Sequence, residues 1–254
     1  MIYHYTTIDT LALILNSRRI RFTRLDKVDD VLECSLLKEA RYIFVSCWTQ
    51  AKTENIALWH MYAKNMKGVR IGFPSNPFKK HFIKTGRYGN ITVNQDILDA
   101  PFSIEELFNE KYFIFPIIEK TDFFNSVTYL DENELESTYE QIVARNEKGI
   151  TLYTEKFGFL KPDSWKFQDE CRFILKITPP YSDARNLIKT INSGILPPFE
   201  YFDLEIDENE FLKMEIKLGP HCSDSDKIIV NSLLKSHGFE NSCEESNLKG
   251  KIRI

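Results

Sequence analysis

The spacing of apolar positions along the chain predicts short helices interleaved with short strands. After a threonine that can cap a helix, Leu11, Ile14 and Leu15 fall on one helical face, which predicts a first helix over residues 7–16. Apolar spacing and composition predict further helices over residues 31–40, 55–65, 104–110, 132–147 and 224–236. Segments rich in β-branched and aromatic residues predict strands over residues 20–23, 42–48, 69–73, 127–130, 170–177 and 214–218.

These elements do not alternate as regular βαβ units, and from residue 74 to residue 121 the pattern gives little beyond the helix over 104–110. No internal repeat, low-complexity tract or Gly/Ser linker divides the chain. The pattern therefore predicts a single domain over residues 1–254. Its class is α+β, with mixed or antiparallel sheets.

Length and composition exclude several classes of protein. The chain has 254 residues, of which 43% are hydrophobic and 13% aromatic, so it can bury a large core and is not predominantly disordered. It contains no run of about 18 apolar residues, so we expect no membrane partner. Its first residues lack the layout of a signal peptide, which predicts a cytoplasmic location.

The cysteines, histidines and glycines limit the kinds of site that the sequence can form. Five cysteines are scattered without a C-x-x-C pair, which disfavours both a disulfide framework and a zinc site and suits a reducing compartment. The histidines show no metal-ligand spacing, and we expect no metal. With ten glycines and no Walker, G-x-S-x-G or H-E-x-x-H motif, the sequence offers no standard phosphate loop or hydrolase signature.

Positive charge is concentrated in one short segment of an acidic chain. The 33 basic and 37 acidic side chains give a net charge of −4, which excludes a general nucleic-acid coat. Four arginines nevertheless fall within seven residues, at Arg18, Arg19, Arg21 and Arg24. In a strand, Arg19 and Arg21 share one face and Arg24 lies on the other. The cluster is either a solvated surface or a site for a pyrophosphate or a nucleic-acid backbone.

Three further motifs are open to a structural or a functional interpretation, and two of them lie in the first quarter of the chain. His4 belongs to the motif Tyr3-His4-Tyr5-Thr6, directly before the first predicted helix, and is either a half-buried histidine of a strand or a ligand of a ribose hydroxyl or phosphate. Trp59 and Tyr62 are three residues apart in a predicted helix, so they form either a core pair or the wall against which a flat heterocycle stacks. For the aromatic pair, periodicity alone cannot choose between these two alternatives.

The remaining motif lies at the start of the predicted strand over residues 170–177. A period of two places Gln168, Glu170 and Arg172 on one face. Glu170 and Arg172 could be an ion pair at a sheet edge. Burying a carboxylate beside apolar residues costs free energy, so a buried carboxylate is expected to be paired with a cation or to have a function. Glu170 could therefore instead stabilise a cationic sugar transition state.

Taken in order, the motifs resemble a bacterial family, domain of unknown function 2971, over nearly the whole chain. Several motifs in one order are more specific than any one of them. The resemblance rests on Tyr3-His4-Tyr5-Thr6, Arg21-Phe22 with Asp29-Asp30 and Glu33, Phe44-Val45-Ser46-Cys47, Leu58-Trp59-His60-Met61-Tyr62-Ala63, Lys67-Gly68-Val69-Arg70-Ile71-Gly72-Phe73, residues 165–172, and Ile216-Lys217-Leu218-Gly219-Pro220.

That family looks like a distant branch of the ADP-ribosyltransferases and is similar at its start to DarT-type toxins. The resemblance implies a split, bent mixed β-sandwich with surrounding helices that holds NAD in a central cleft. It implies that Glu170 is catalytic, with Gln168 two residues before it in a Q-x-E spacing. The cofactor-binding residues that we expect on this basis are His4, Tyr5, Thr6, Arg21, Arg24, Trp59 and Tyr62.

The implied function is an NAD-dependent ADP-ribosyltransferase, a toxin or anti-phage effector that transfers ADP-ribose to a macromolecule. The arginine cluster favours RNA or DNA over protein as the acceptor, and a toxin implies an antitoxin protein as a partner. Two alternatives stay open. The protein could be an NAD glycohydrolase, in which water is the acceptor, or a non-catalytic binding or regulatory module with the same fold.

Overall fold

The computed structural model describes residues 1–74, 76–88, 91–115, 123–146, 149–152, 156–180 and 189–253. Its α-helices are α1 (Ile8–Ser17), α2 (Leu32–Ser35), α3 (Ile56–Tyr62), α4 (Ile104–Leu107), α5 (Glu132–Ile142), α6 (Glu208–Phe211) and α7 (Asp224–Ser236). Its strands are β1 (Ile2–Thr6), β2 (Arg19–Arg24), β3 (Ile43–Thr49), β4 (Val69–Phe73), β5 (His81–Ile83), β6 (Gly86–Tyr88), β7 (Ile91–Val93), β8 (Ile97–Ala100), β9 (Phe113–Ile114), β10 (Phe124–Ser126), β11 (Thr128–Leu130), β12 (Val143–Asn146), β13 (Gly149–Leu152), β14 (Leu160–Pro162), β15 (Glu170–Thr178), β16 (Tyr201–Glu205) and β17 (Glu215–Leu218).

The main sheet is antiparallel and splits at strand β3. One edge of β3 pairs with β15 along its whole length. The other edge is shared: Tyr3 of β1 pairs with Thr49 at one end, and Thr23 of β2 pairs with Val45 at the other. Beyond the split, β1 continues into β4 and β17, while β2 continues into β16. The strands β1 and β2 therefore diverge and leave a cleft over the middle of β3.

Outside the main sheet, the described residues form small two-stranded sheets. Strands β11 and β14 run parallel, whereas the pairs β5–β8, β6–β7 and β12–β13 are antiparallel. Helices and several sheets occur together, so the α+β class predicted from the sequence is confirmed.

Capping and amphipathic spacing explain the first and the last helix of the chain. The Thr7 hydroxyl accepts a hydrogen bond from the Thr10 N–H at the start of α1, and the predicted face of Leu11, Ile14 and Leu15 is buried. Helix α7 begins with a capping box formed by Ser223 and Asp226. In both cases a local signal determines where the helix starts.

Aromatic side chains fill the space on one face of the main sheet, and a smaller apolar cluster covers the other. The larger cluster includes Phe22, Phe44, Phe73, Phe78 and Phe173, which are all buried. In the smaller cluster, residues such as Val45 and Ile174 pack with residues of helix α5 and of the segment before β14. Strand β15 is consequently buried on both faces, and its charged residues at positions 170 and 172 lie inside the protein.

Several predicted helices are shorter than their patterns suggest. The helix predicted over 31–40 is reduced to α2 and a 3₁₀ turn over Lys38–Tyr42, because Leu37 is extended (φ −135°, ψ 104°) and buried. The helix predicted over 55–65 ends at Tyr62, where three residues with positive φ (Lys64, Asn65 and Met66) turn the chain.

Two more boundaries differ. The helix predicted over 104–110 ends at Leu107, because Phe108 bridges to Phe113 in an extended conformation. The helix predicted over 132–147 ends at Ile142, where strand β12 begins; residue 147 lies outside the described residues. In each case strand pairing ends a segment whose polar pattern suits a longer helix.

We predict that Gly68→Ala destabilises the fold by about 2 kcal/mol or more. A Cβ atom at Gly68 would lie 2.1 Å from the carbonyl oxygen of Thr6 and 2.9 Å from Ala63, so the backbone of β1 or of the turn after α3 would have to move. Urea unfolding measures the change. The control is Gly86→Ala, where the nearest atom is a ring carbon of Tyr88 at 3.7 Å and the expected change is within about 0.5 kcal/mol. Equal effects of the two substitutions would contradict the close approach of β1 to Gly68.

Candidate active site

A cavity of about 270 Å³ occupies the cleft where β1 and β2 diverge from β3. Its walls come from these three strands, from α3 and from the start of β15, so residues distant in sequence meet there. Six of the residues expected at the site line this cavity: His4, Tyr5, Arg21, Tyr62, Gln168 and Glu170.

His4 lies at the split itself. Its Nδ1–H donates to the carbonyl oxygen of Cys47 at 2.8 Å, and its ring packs on Trp48 with the ring centroids 5.2 Å apart. Burial lowers the pKa of the imidazole, although the hydrogen bond to Cys47 opposes this effect, so His4 is neutral at pH 7. Because Nδ1 carries the proton, Nε2 is left as a hydrogen-bond acceptor.

Glu170 is buried and held by two cations. Its carboxylate receives the Nε–H of Arg172 at 2.6 Å and the Nη2–H at 3.1 Å, and the ammonium of Lys161 donates to it at 3.2 Å. Strand β15 lies between β10 and β3 at this point, so the ion pair is in the interior of the sheet and not at its edge. Of the structural interpretation of this motif, the ion pair between Glu170 and Arg172 is therefore right, but its position at a sheet edge is wrong.

A second carboxylate completes the network. Glu33 of helix α2 is fully buried and accepts hydrogen bonds from Nη1 and Nη2 of Arg172. With the carbonyl of Gly158, Arg172 makes five hydrogen bonds, in which every nitrogen of its guanidinium takes part. Lys161 lies 3.5 Å from Glu33 as well as near Glu170. Two carboxylates and two cations therefore form one buried, electrically neutral cluster, called here the Glu33–Arg172 network.

This network fixes the charge of Glu170. Burial alone would raise the pKa of the carboxyl, but Arg172 and Lys161 outweigh it and lower the pKa to about 2. The neighbouring thiol of Cys47 responds in the opposite direction, because burial and then the negative charge of Glu170 raise its pKa well above the ordinary value. The cavity therefore presents a permanent carboxylate and a protonated thiol at neutral pH.

Gln168 and Glu170 both bind Lys161, but they do not share a strand face, contrary to the prediction. It ends a 3₁₀ turn over Asp163–Gln168, and Asp169 has a left-handed conformation (φ 45°), so Gln168 is not on a strand face. Its side-chain oxygen accepts from Lys161 at 2.7 Å, and its amide donates to the Tyr62 hydroxyl at 2.7 Å. Gln168 thus links helix α3 to the Glu33–Arg172 network.

Three of the residues expected to bind cofactor do not line the cavity. Trp59 is fully buried beside Tyr5 and donates its indole N–H to Glu54, so only Tyr62 of the expected aromatic pair reaches the cleft. Thr6 is buried at the end of β1. Arg24 is buried on the other face of β2, where it pairs with Asp26 at 2.7 Å. The alternation predicted for this strand, with Arg24 facing away from Arg21, is confirmed.

Each arginine of the cluster has an acidic partner. Arg21 makes two hydrogen bonds to Asp203 and lies over the ring of Tyr201 at 3.7 Å. Arg24 pairs with Asp26, as described above. Arg18 lies 3.6 Å from Glu208 of helix α6, and Arg19 lies 3.9 Å from Glu106 of helix α4. The segment is therefore largely neutralised, and Arg21 is its only member that lines the cavity within the described part of the chain.

Two charged residues of the network, Lys161 and Glu33, were not predicted as functional residues. Glu33 was visible as part of a motif, but nothing local indicated that it pairs with a residue 139 positions away. Lys161 lies in a short parallel strand before a 3₁₀ turn and carries no periodic signal. Both are buried charges, which only tertiary contacts reveal.

The residues that the structure describes also bear on which ligand the cavity can hold. They contain no group of three or more His, Cys, Asp or Glu residues able to hold a metal ion. No helix among them is long and apolar enough to cross a membrane. The cavity combines an acceptor nitrogen, a fixed carboxylate and an aromatic hydroxyl, which suits a polyhydroxylated ligand that develops positive charge.

We predict that Glu170 makes stability depend on pH in the acid range. Its pKa is lowered from 4.5 to about 2 in the folded protein, so its contribution is fully present above about pH 4.5 and is lost as the pH falls towards 2. The free energy of unfolding should therefore fall more steeply between about pH 5 and about pH 3 in the native protein than in Glu170→Gln. Urea unfolding across this range measures both slopes, and parallel slopes would refute the assigned pKa.

Among the comparisons with known proteins, one gives a match, and it covers the central part of the chain. No curated protein and no solved structure matches the chain. Residues 58–173, from helix α3 to the centre of β15, match the family model described as "Protein of unknown function (DUF2971)". This match shows that the central part of the chain is similar to that family.

Proposed function

We propose that the protein is an NAD-dependent ADP-ribosyltransferase and that its reaction takes place in the cleft at the sheet split. The observation that carries this proposal is that His4 and Glu170, which lie 166 positions apart in sequence, line one cavity. The neutral imidazole and the permanent carboxylate are complementary to a sugar that becomes cationic. The resemblance of the motifs to ADP-ribosyltransferases supplies the reaction class.

In this proposal Glu170 provides electrostatic stabilisation. Cleavage of the nicotinamide–ribose bond leaves the bonding electrons on the nicotinamide nitrogen and positive charge on the ribose, as in glycoside hydrolysis. The Glu170 carboxylate stabilises that charge and orients the sugar through a hydroxyl. A pKa of about 2 makes Glu170 unsuitable as a general acid, so its role depends on its charge and position.

The other lining residues would bind and orient the dinucleotide. His4 Nε2 would accept a hydrogen bond from a ribose hydroxyl, and the Tyr62 side chain would form a wall for the nicotinamide. A cavity of 270 Å³ is near the lower limit for small-molecule sites, so we place only the nicotinamide riboside end inside it. Arg21, half exposed at the cleft, would contact the pyrophosphate.

The acceptor and the biological role are proposed from the resemblance. We propose a macromolecular acceptor, RNA or DNA in preference to protein, and a role as a toxin or anti-phage effector, with an antitoxin as partner. Because the arginines of residues 18–24 are already paired with carboxylates, a nucleic-acid backbone would have to compete with those ion pairs.

One observation favours a second candidate function, a non-catalytic binding module. Both oxygens of the Glu170 carboxylate already accept hydrogen bonds from Arg172 or Lys161. A carboxylate held in this way could serve only to stabilise the fold around a binding cleft. Such a module would bind ligand in the cavity without turning over NAD.

We predict that Glu170→Gln lowers NAD turnover by about 10²-fold to 10³-fold, the loss typical of removing one electrostatic contact to a transition state. The matched control is Glu33→Gln, which removes the same charge from the same network but does not line the cavity. Each substitution should cost about 3 kcal/mol of stability, because it leaves a buried cation without its partner.

The assay incubates each protein with NAD labelled in its adenine ring, alone and with RNA, DNA or protein. Label on a macromolecule identifies a transferase, and free ADP-ribose alone identifies a glycohydrolase. Turnover that survives in Glu33→Gln and is lost in Glu170→Gln supports the proposal. No turnover by the native protein under any of these conditions favours the non-catalytic module.

We predict that His4→Ala weakens NAD binding by about tenfold, since it removes one hydrogen bond to the ribose from a buried site. Calorimetric titration measures the dissociation constant. Thr10→Ala is a suitable control at the same end of the chain, because Thr10 does not line the cavity. An unchanged dissociation constant in His4→Ala would exclude His4 from the binding site.

A further inference from the structure

A second cavity, of about 600 Å³, lies on the β1–β4–β17 part of the main sheet. The register places Tyr3 beside Gly72, and Gly72 beside Glu215, so these residues form one row of the cavity floor. Gly72 leaves room for the Tyr3 ring, because a Cβ atom at this position would lie 3.2 Å from it. Residues of the segment 244–248 and of the loop before α3 complete the lining.

Arg70 is the exceptional residue of this cavity. It is only 5% exposed, and its guanidinium lies over the ring of Tyr3 at 4.2 Å and 5.9 Å from the centroid of the Tyr5 ring. Its Nη1–H donates to the carbonyl oxygen of Lys52 at 3.1 Å. Within the described residues its other four N–H groups have no acceptor, and no carboxylate pairs with it. A guanidinium has five donors, so most of its hydrogen-bonding capacity is unused.

The acidic residues around the cavity do not serve as counter-ions for Arg70. Glu54 is occupied, since it accepts from Trp59, Ser246 and the N–H of Asn247. Lys217 lies between Glu54 at 3.8 Å and Glu244 at 3.3 Å, and its single positive charge offsets one of these two carboxylates.

The remaining charged side chains of the lining are Lys52 and Glu215. Both are exposed to solvent and make no ion pair with any described residue. Within the described part of the chain, Arg70 is therefore a cation on a largely buried side chain, with unused donors and no paired anion. Such a group is costly to bury alone and is complementary to an oxyanion, which would supply both the charge and the acceptors that it lacks.

We infer that this second cavity binds a small ligand through a carboxylate or phosphate group, which Arg70 holds by two parallel N–H···O bonds. The planar guanidinium is already oriented by its stacking on Tyr3 and by the Lys52 carbonyl, so binding loses little side-chain freedom. The Lys52 ammonium supplies a second positive charge on the solvent side. The inference does not depend on NAD or on the chemistry of the first cavity.

The test follows the Arg70 Nε–Hε signal by NMR in the full-length ¹⁵N-labelled protein. Sodium acetate and sodium phosphate are added in separate titrations, with sodium chloride keeping the ionic strength constant. We expect the Arg70 signal to shift and saturate with at least one of the two oxyanions, while the signal of Arg172, whose guanidinium is fully engaged, stays fixed. If the Arg70 signal does not saturate with either oxyanion, or shifts no more than the signal of the exposed Arg18, the binding is that of an adventitious ion only. Either result would overturn the inference.

Two variants test the geometry. Arg70→Lys keeps the charge but loses the planar fork, and it should weaken oxyanion binding by about tenfold. Lys52→Gln, at an exposed position that cannot disrupt the core, should weaken binding by about threefold. Lys80→Gln is the control, because Lys80 is an exposed lysine near Asp99 and does not line this cavity. Wild-type affinity in a folded Arg70→Lys protein, or equal affinities of Lys52→Gln and Lys80→Gln, would refute the proposed site.

Discussion

Two carboxylates and two cations share one buried volume beside the split in the main sheet. Removing one charge from such a cluster leaves an opposite charge unpaired in the protein interior, where it is poorly solvated. This costs several kcal/mol of folding free energy. The segments that carry Glu33, Lys161, Glu170 and Arg172 must therefore come together in the folded chain. The network therefore also determines the geometry of the cleft, because β15 forms one of its walls and β3 forms its floor.

The network also sets the electrostatics of the cleft. Arg172 engages Glu33, Glu170 and a carbonyl through all its guanidinium nitrogens, so the carboxylate at position 170 has a fixed direction and a fixed charge. His4, at the split, is kept neutral by burial and keeps one acceptor nitrogen. A cavity with one permanent anion and one neutral acceptor is organised before any ligand arrives, which is the condition for electrostatic catalysis.

Among the described residues, three arginines are buried, and each has a different set of partners. Arg172 is buried with its donors satisfied, and Arg24 is buried with a carboxylate beside it. Arg70 is also buried but has one carbonyl and two aromatic rings as its partners. A buried charge without a counter-ion is unfavourable. Of these three arginines, only Arg70 therefore lacks a counter-ion and hydrogen-bond acceptors that a ligand could supply.

The helices whose caps and apolar faces are local, such as α1, could be predicted from the amino-acid sequence, and so could the alternation along β2 and the α+β class. The sequence also singled out His4 and Glu170, which line one cavity. Periodicity tells which residues share a face, but not what covers that face. It therefore could not show that Trp59 lies in the core while Tyr62 reaches the cleft, or that Glu33 pairs with Arg172. Burial and charge pairing depend on contacts between segments that are distant in sequence, and these contacts exist only in the folded chain.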